Sequence, residues 1–193
     1  MFKIAPRFHY NNVSPIYHMN NFQELILNRR SIRKYTTEPV SPDDVQKILA
    51  AGLVAPTSKN KRAWEFIVVE NKETIERLSQ FKPNYQTSLD NPAFAVVVCV
   101  DSTETDAWIE DASVASSFMM LQATDLGLGS CWVQVRGRFD AGGVPSEEYV
   151  QEVLGIPENF SVLCILTFGH KDEERKPINP EKIMWEKVHI GKW

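Results

Sequence analysis

Residues 112–124 (ASVASSFMMLQAT) carry no charged side chain, although a helical period runs through them from about Ala107 to Leu126, where Gly127 ends it. Ala112, Ser113, Ala115, Ser116, Ser117 and Ala123 are small. A helix without a polar face needs neighbours on most sides, and small residues let those neighbours come close. Whatever else this chain builds must therefore be packed around that helix.

The rest of the sequence supplies suitable neighbours. Ala93–Val100 (AFAVVVCV) is apolar throughout rather than alternating, the pattern of a strand covered on both faces. Trp64–Glu70, Leu128–Val135 and Ser161–Gly169 read as further strands. A helix is expected from Asn20, with apolar spacing at Phe22, Leu25 and Ile26. Ser41-Pro42-Asp43-Asp44 opens a second, with a serine cap, proline in the first turn and two acids at the positive end of the dipole. Val45, Ile48, Leu49 and Leu53 form its expected buried side. Lys72–Gln80 is a short helix with Ile75 and Leu78 inward, and Ser146–Leu154 is another, closed by Gly155. Residues 82–92 (KPNYQTSLDNP) read as a polar surface connection, long enough for a lid or an insertion. Mixed helices and strands around one central sheet make the class α+β or α/β.

At 193 residues, with 43% hydrophobic and 24% charged residues, the chain is neither disordered nor a disulfide-dense mini-scaffold. Its net charge of −4 argues against a general binder of nucleic acid or anionic lipid, and its apolar runs are strand-sized, too short to span a membrane. Cys99, Cys131 and Cys164 all lie in apolar runs with no ligand spacing. They read as buried free thiols in a reducing, cytoplasmic setting, with Cys131 kept open because its neighbours look functional. No metal site is expected.

The ends are unusual. Residues 1–18 have neither period nor apolar signal core and read as an extension, from an early start codon or as an arm packing on a partner. The expected domain is residues 19–193. The tail carries Ile183, Met184, Trp185, Val188 and Trp193, too much apolar area to leave wet at about 25 cal/mol per Å². Either it folds back on its own core or it embraces a second subunit.

Three clusters could carry chemistry. Arg29-Arg30-Ser31-Ile32-Arg33-Lys34 has four cations before any compensating acid, in a stretch that can bind phosphate through guanidinium forks and a hydroxyl or serve as a solvated basic helix end. Pro56-Thr57-Ser58-Lys59-Asn60-Lys61-Arg62 offers polar groups to a planar ligand, or is an ordinary helix-to-strand turn. Gly127-Leu128-Gly129-Ser130-Cys131-Trp132-Val133-Gln134 lets backbone approach a flat ligand, or is a helix cap followed by a strand. GxGxxG, a Walker loop, GxSxG and HExxH are all missing. Without an acid/base or nucleophile set among the side chains, hard chemistry falls to a bound cofactor.

In this order the clusters resemble the FMN-dependent nitroreductase family. Asn28–Tyr35 (NRRSIRKY) is similar to its RRSxRxF signature, Ala55–Trp64 with Phe66 to its APSxxNxQPWxF segment, Asp111–Trp132 to its central helix leading into GLGSCW, and WEKVHIGKW to its C-terminal arm. Arg62-Ala63 stand where the family has Gln-Pro, and Thr57 where it has serine. The resemblance implies an α+β fold with a central, mostly antiparallel sheet flanked by helices, and an intertwined homodimer with exchanged C-terminal arms and two FMN sites at the interface. It implies that Arg29, Ser31 and Arg33 hold the FMN phosphate with help from Arg30. Pro56, Thr57, Ser58 and Asn60 would meet the flavin from the other subunit, the backbone of Val133 and Gln134 would lie near its reactive nitrogen, and Lys171, or Arg175 and Lys176, would close over the phosphate. The implied activity is ping-pong transfer of hydride from NAD(P)H through FMN to a nitroaromatic, quinone or flavin, with no catalytic side chain. A reductive dehalogenase or enoyl-type reductase of the same fold, a non-enzymatic flavin or nucleotide sensor, and a cofactor-free dimeric scaffold are the competing readings.

Overall fold

A computed structural model describes residues 22–83 and 87–193; the expected extension at 1–18 lies outside them. Four strands, β1 (Trp64–Val69), β2 (Phe94–Asp101), β3 (Gly129–Gln134) and β4 (Phe160–Gly169), form one sheet in the order β1-β2-β4-β3, every neighbouring pair antiparallel. Helices α1 (Phe22–Asn28), α2 (Pro42–Leu53), α3 (Lys72–Leu78), α4 (Trp108–Asp125) and α5 (Ser146–Leu154) flank it. The expected α+β class and antiparallel sheet are both present.

The sheet has a core on each face, which is why β2 has no polar alternation. Phe94, Val96, Val98 and Val100 join the core shared with α2 and α4, while Ala95, Val97 and Cys99 join the one under α3 and α5. Leu163 bulges from β4 opposite Val98 and Cys99. Helix boundaries follow their chemistry. The Ser41 hydroxyl accepts the Asp44 N–H at 3.1 Å, with Pro42 opening α2, and Gly155 ends α5 at φ 66°, where a side chain would be strained.

Helix α4 lies along the sheet and touches all four strands as well as α1 and α2. Asp111, Ala112, Ala115, Ser116, Met119 and Ala123 are its buried positions. The opposite side holds Val114, Ser117, Phe118 and Leu121, exposed or half-exposed. The Ser117 hydroxyl donates to the Ser113 carbonyl of its own helix at 2.8 Å, which uses its proton within the helix.

Three expectations need correction or resolution. Leu53 is 53% exposed rather than buried, and Val54 beside it is 74% exposed, because Gly52, against Met119 of α4 and Phe66, holds the inward position at the end of α2 and Leu53 lies one residue further round the helix. Residues 82–92 are not simply a polar connection, since Ser88 and Leu89 are buried and Leu89 packs in the α3/α5 core. The tail does not return to its own core either. It leaves β4 antiparallel to residues 34–36, through Thr36 N–H to His170 C=O (2.9 Å) and Asp172 N–H to Lys34 C=O (3.0 Å). Past Ile178 its aromatic groups stand in solvent, Trp185 at 70% and Trp193 at 99% exposure.

Candidate functional site

The chain after α1 is extended and locked to the sheet. Ser31 forms a parallel bridge with Ser130, and the Ile32 N–H donates to the Ser130 carbonyl at 2.9 Å. Gly129 makes this approach possible, because a Cβ there would sit 2.7 Å from Ile32 Cγ2. Tyr35 fixes the far end: its buried hydroxyl bonds the Ile32 carbonyl and the Thr167 hydroxyl, each at 2.7 Å. Burial holds the Tyr35 phenol well above its usual range.

An extended segment alternates its side chains, and the basic cluster is sorted accordingly. Arg30 and Ile32 face a cavity of about 920 Å³ that Lys171, Arg175 and Lys176 also line, with Thr124 and Leu128 at its wall. The Arg30 guanidinium donates to the Lys176 carbonyl, tying the strand to the tail. Asp172, Glu173 and Glu174 line the same cavity. Glu173 is already engaged there: it accepts the Arg33 N–H at 2.6 Å and pairs with Arg175 of the same cavity at 2.7 Å, and the Arg33 N–H above all keeps its carboxyl below the usual range. Arg29 and Arg33 act instead on Cys131 of β3. Burial raises that thiol, and the two guanidinium groups, Arg33 foremost, partly oppose the rise. Cys99, Cys131 and Cys164 are all buried and free, as expected, and burial pushes Cys99 and Cys164 up to about 12.

The second cluster lies elsewhere. Pro56 and Thr57 lead into a single 3-10 turn, Ser58–Asn60. Lys59, Asn60 and Arg62 all have left-handed backbones, at φ 51°, 55° and 52°, a conformation that costs lysine and arginine about 1–2 kcal/mol each and asparagine less. The Thr57 hydroxyl accepts the Arg62 N–H (3.1 Å) and the Asn60 side chain accepts Arg62 Nε (2.9 Å). The Ser58 N–H donates to Asp111 Oδ1, at the start of α4, at 2.7 Å. Thr124, by contrast, stands beside the basic cavity at the end of α4. Thirteen residue steps separate Asp111 from Thr124, about 20 Å of helix at 1.5 Å per residue. One chain therefore does not bring Pro56, Thr57, Ser58 and Asn60 to the cavity that Arg30, Lys171, Arg175 and Lys176 surround.

In the third cluster Val133 is buried in the α3/α5 core. The Gln134 amide is held on both sides, accepting Trp132 Nε1 and donating to the Arg136 carbonyl, each at 2.8 Å. Among the described residues, Trp64 Nε1, Asp111 Oδ2 and Ser130 Oγ are buried without a hydrogen-bond partner. Ser130 Oγ belongs to the residue that bridges Ser31, so a polar group brought to that strand finds an unused hydroxyl. Cations, a free hydroxyl and a cavity fit a phosphate-bearing nucleotide. Ser130 lies in the third cluster as read from sequence but has no role assigned to it there, and Asp111 stands outside all three clusters. Asp111 had a signal: four and eight residues before the apolar Ala115 and Met119, it falls on the inward face of α4.

No described residues form a cluster able to hold a metal, and no described helix is long and apolar enough to cross a membrane.

Comparison with known proteins adds to this geometry. The model of the nitroreductase family matches residues 26–101 and 80–170. An FMN-dependent nitroreductase structure from Clostridium difficile superimposes with a TM-score of 0.86 at 43% identity, over 89% of this chain and 99% of that one. The NADPH-flavin oxidoreductase of Vibrio harveyi is 31% identical over 184 residues, 86% of this chain and 73% of its own. A structure of the NADPH:FMN oxidoreductase from the same organism, complexed with NAD+, aligns with a TM-score of 0.74 at 29% identity, covering 90% of this chain and 78% of that one.

Proposed function

The chain belongs to the nitroreductase family, and from that premise we propose that residues 19–193 form one FMN-binding domain, paired in a homodimer, that reduces electrophilic small molecules with NAD(P)H. It is an FMN-dependent oxidoreductase. Nitroaromatics, quinones or flavins are the proposed acceptors. The chemistry supplied by bound FMN is hydride transfer from NAD(P)H to the acceptor in two successive half-reactions.

The observation that carries this reading is the basic cavity. Arg30, Lys171, Arg175 and Lys176 come from two distant chain segments to one space of about 920 Å³ that Asp172, Glu173 and Glu174 also line. Arg175 is paired with Glu173, which leaves Arg30, Lys171 and Lys176 to meet a phosphate dianion through charge-assisted bonds of about 1.5–3 kcal/mol each. Arg29, Ser31 and Arg33, to which the resemblance gives the phosphate itself, alternate to the other side of the same segment, and we give them the remainder of the nucleotide, with Ser130 Oγ as a further donor. Their positive charge would also draw in the pyridine nucleotide and suit the negative charge of a bound nucleotide cofactor. The main chain at Val133 and Gln134 borders the ring.

A second copy completes the site. The face of α4 with Val114, Ser117, Phe118 and Leu121, together with Leu53 and Val54, is apolar and uncovered. Two such faces packed about a twofold axis carry Pro56, Thr57, Ser58 and Asn60 of one chain towards the cavity of the other. The tail from Ile183 to Trp193 then has a partner surface on which to bury its tryptophans. No side chain of this set is required as acid or base. The chain's task is to orient the ring, exclude water and admit donor and acceptor in turn.

The test is an absorption spectrum of the purified protein after FMN loading, before and after anaerobic addition of NADPH or NADH. A yellow protein that bleaches, and recovers its colour with a quinone or nitroarene, supports the reading. Colour that persists with both donors, or a protein that takes up no FMN, overturns it. A haloaromatic or an enone that restores colour where quinones and nitroarenes do not would move the acceptor class.

A further inference from the structure

Resting on the flavin reading above, we propose that Asp111 is a positioning residue, a buried carboxylate that clamps the Thr57–Arg62 loop in the shape that contacts FMN across the dimer.

Asp111 is 5% exposed, an unusual place for a carboxylate without a cationic partner. Two features make it tolerable: it lies in the first turn of α4, where the helix dipole favours negative charge, and its Oδ1 accepts the Ser58 N–H at 2.7 Å. Oδ2 has no hydrogen-bond partner among the described residues. A carboxylate held inside by one main-chain bond, with its second oxygen unused, adds less to folding than an apolar side chain of the same shape. Its effect falls on what it holds.

What it holds is strained. Lys59, Asn60 and Arg62 are left-handed without being glycines, and such backbones persist only where surrounding contacts impose them. The contacts inside the loop, Thr57 Oγ1 with the Arg62 N–H and Asn60 Oδ1 with Arg62 Nε, tie the loop to itself. The bond from Ser58 to Asp111 ties it to α4 and so to the body of the protein. Released from Asp111, the loop can relax while the fold stays intact, and Ser58 and Asn60 lose their alignment towards the partner's flavin.

The test is a cycle of variants read by FMN binding to the apoprotein, through quenching of free-flavin fluorescence, and by the visible spectrum and midpoint potential of the loaded protein. Asp111→Ala should weaken FMN binding about tenfold or more, the scale of one lost charge-assisted bond, and shift both spectrum and potential. Asp111→Asn keeps an acceptor oxygen and should stay within about threefold of wild type. Ser58→Pro removes the same bond from the loop side. Thr57 at φ −132°, ψ 154° is already in the extended region that precedes proline, and the first position of a helical turn accepts proline. Ser58→Ala is its control for the hydroxyl. Ser58→Pro should bind FMN about tenfold more weakly than Ser58→Ala, and combining it with Asp111→Ala should add little. If Asp111→Ala does not fold, the comparison of Ser58→Pro with Ser58→Ala decides alone. Wild-type affinity, spectrum and potential in Asp111→Ala, or equal affinities for the two Ser58 variants, overturn the proposal. Wild-type protein that binds no FMN overturns the cofactor reading itself, a separate outcome visible before any variant is made.

Discussion

The Arg29–Tyr35 strand and the Pro56–Arg62 loop both face the same proposed ligand, yet they are held by different means. Main-chain bonds fix the strand on two sides, from Ile32 to Ser130 and from Thr36 and Asp172 to the tail and the strand itself, and Tyr35 anchors its end in the core. Side chains shape the loop: Asp111, Thr57 and Asn60 each supply an acceptor, and three backbones are left-handed. Main-chain pairing carries most of the first geometry, with Tyr35 and Glu173 in support, whereas single substitutions can undo the second. The two also lie at opposite ends of α4, so the strand's site is built within one chain, and in the proposed dimer the loop's contribution comes from a second.

The strongest way to break that comparison is to stop the two chains from meeting. Introducing Phe118→Glu with Val54→Asp places charges on the uncovered face of α4 and α2. Loss of such central apolar contacts costs about 2–4 kcal/mol, roughly a hundredfold in dimer dissociation. Light scattering behind size exclusion should find monomer, circular dichroism should find the helices intact, and FMN should be lost with the dimer. A monomer that keeps its flavin would show the loop to be dispensable and end the division of labour drawn here.

A smaller effect separates the two sides of the strand. Arg30→Ala should weaken FMN binding by about 1.5–3 kcal/mol while hardly changing riboflavin binding, since riboflavin lacks the phosphate. Arg33→Ala, on the Cys131 side, should change the affinity for both flavins alike. Fluorescence titration with the two ligands reads the difference. If Arg33→Ala proves phosphate-selective and Arg30→Ala does not, the cavity lined by Lys171, Arg175 and Lys176 is not the phosphate site.

The same contrast explains what could be read from the sequence. The strand motif was legible because NRRSIRKY depends on residue type and spacing, and so were α2 and α5, whose ends at Ser41 and Gly155 follow local chemistry. The all-apolar β2 declared its two-sided burial directly. Alternation within 29–33 was hidden, because the extended shape comes from pairing with Ser130, about a hundred positions away. Leu89 was lost in a polar stretch, its burial imposed by α3 and α5 rather than by its neighbours. Leu53 misled for the opposite reason: the helical period assigns it inward, but Gly52 takes the buried position against α4 and Leu53 stands beside it in solvent. The period of α4 turns Asp111 inward, but its partner on the loop, 53 residues earlier, leaves no trace in the sequence.

The finest test concerns strain alone. Lys59 at φ 51° is exposed, and its left-handed backbone costs about 1–2 kcal/mol that glycine does not incur. Glycine in turn loses about 0.5–1 kcal/mol more on ordering. Lys59→Gly should therefore stabilise the apoprotein by up to about 1 kcal/mol, a rise in Tm of a few degrees at this length. FMN affinity should fall about twofold, because the loop now samples other shapes before it binds. Ser31→Gly, in the strand, should lower Tm instead, for there the backbone is already relaxed and the added freedom brings no relief. If both glycines lower Tm alike, the loop is no more strained than the strand, and the difference between a site held by register and one held by side chains disappears.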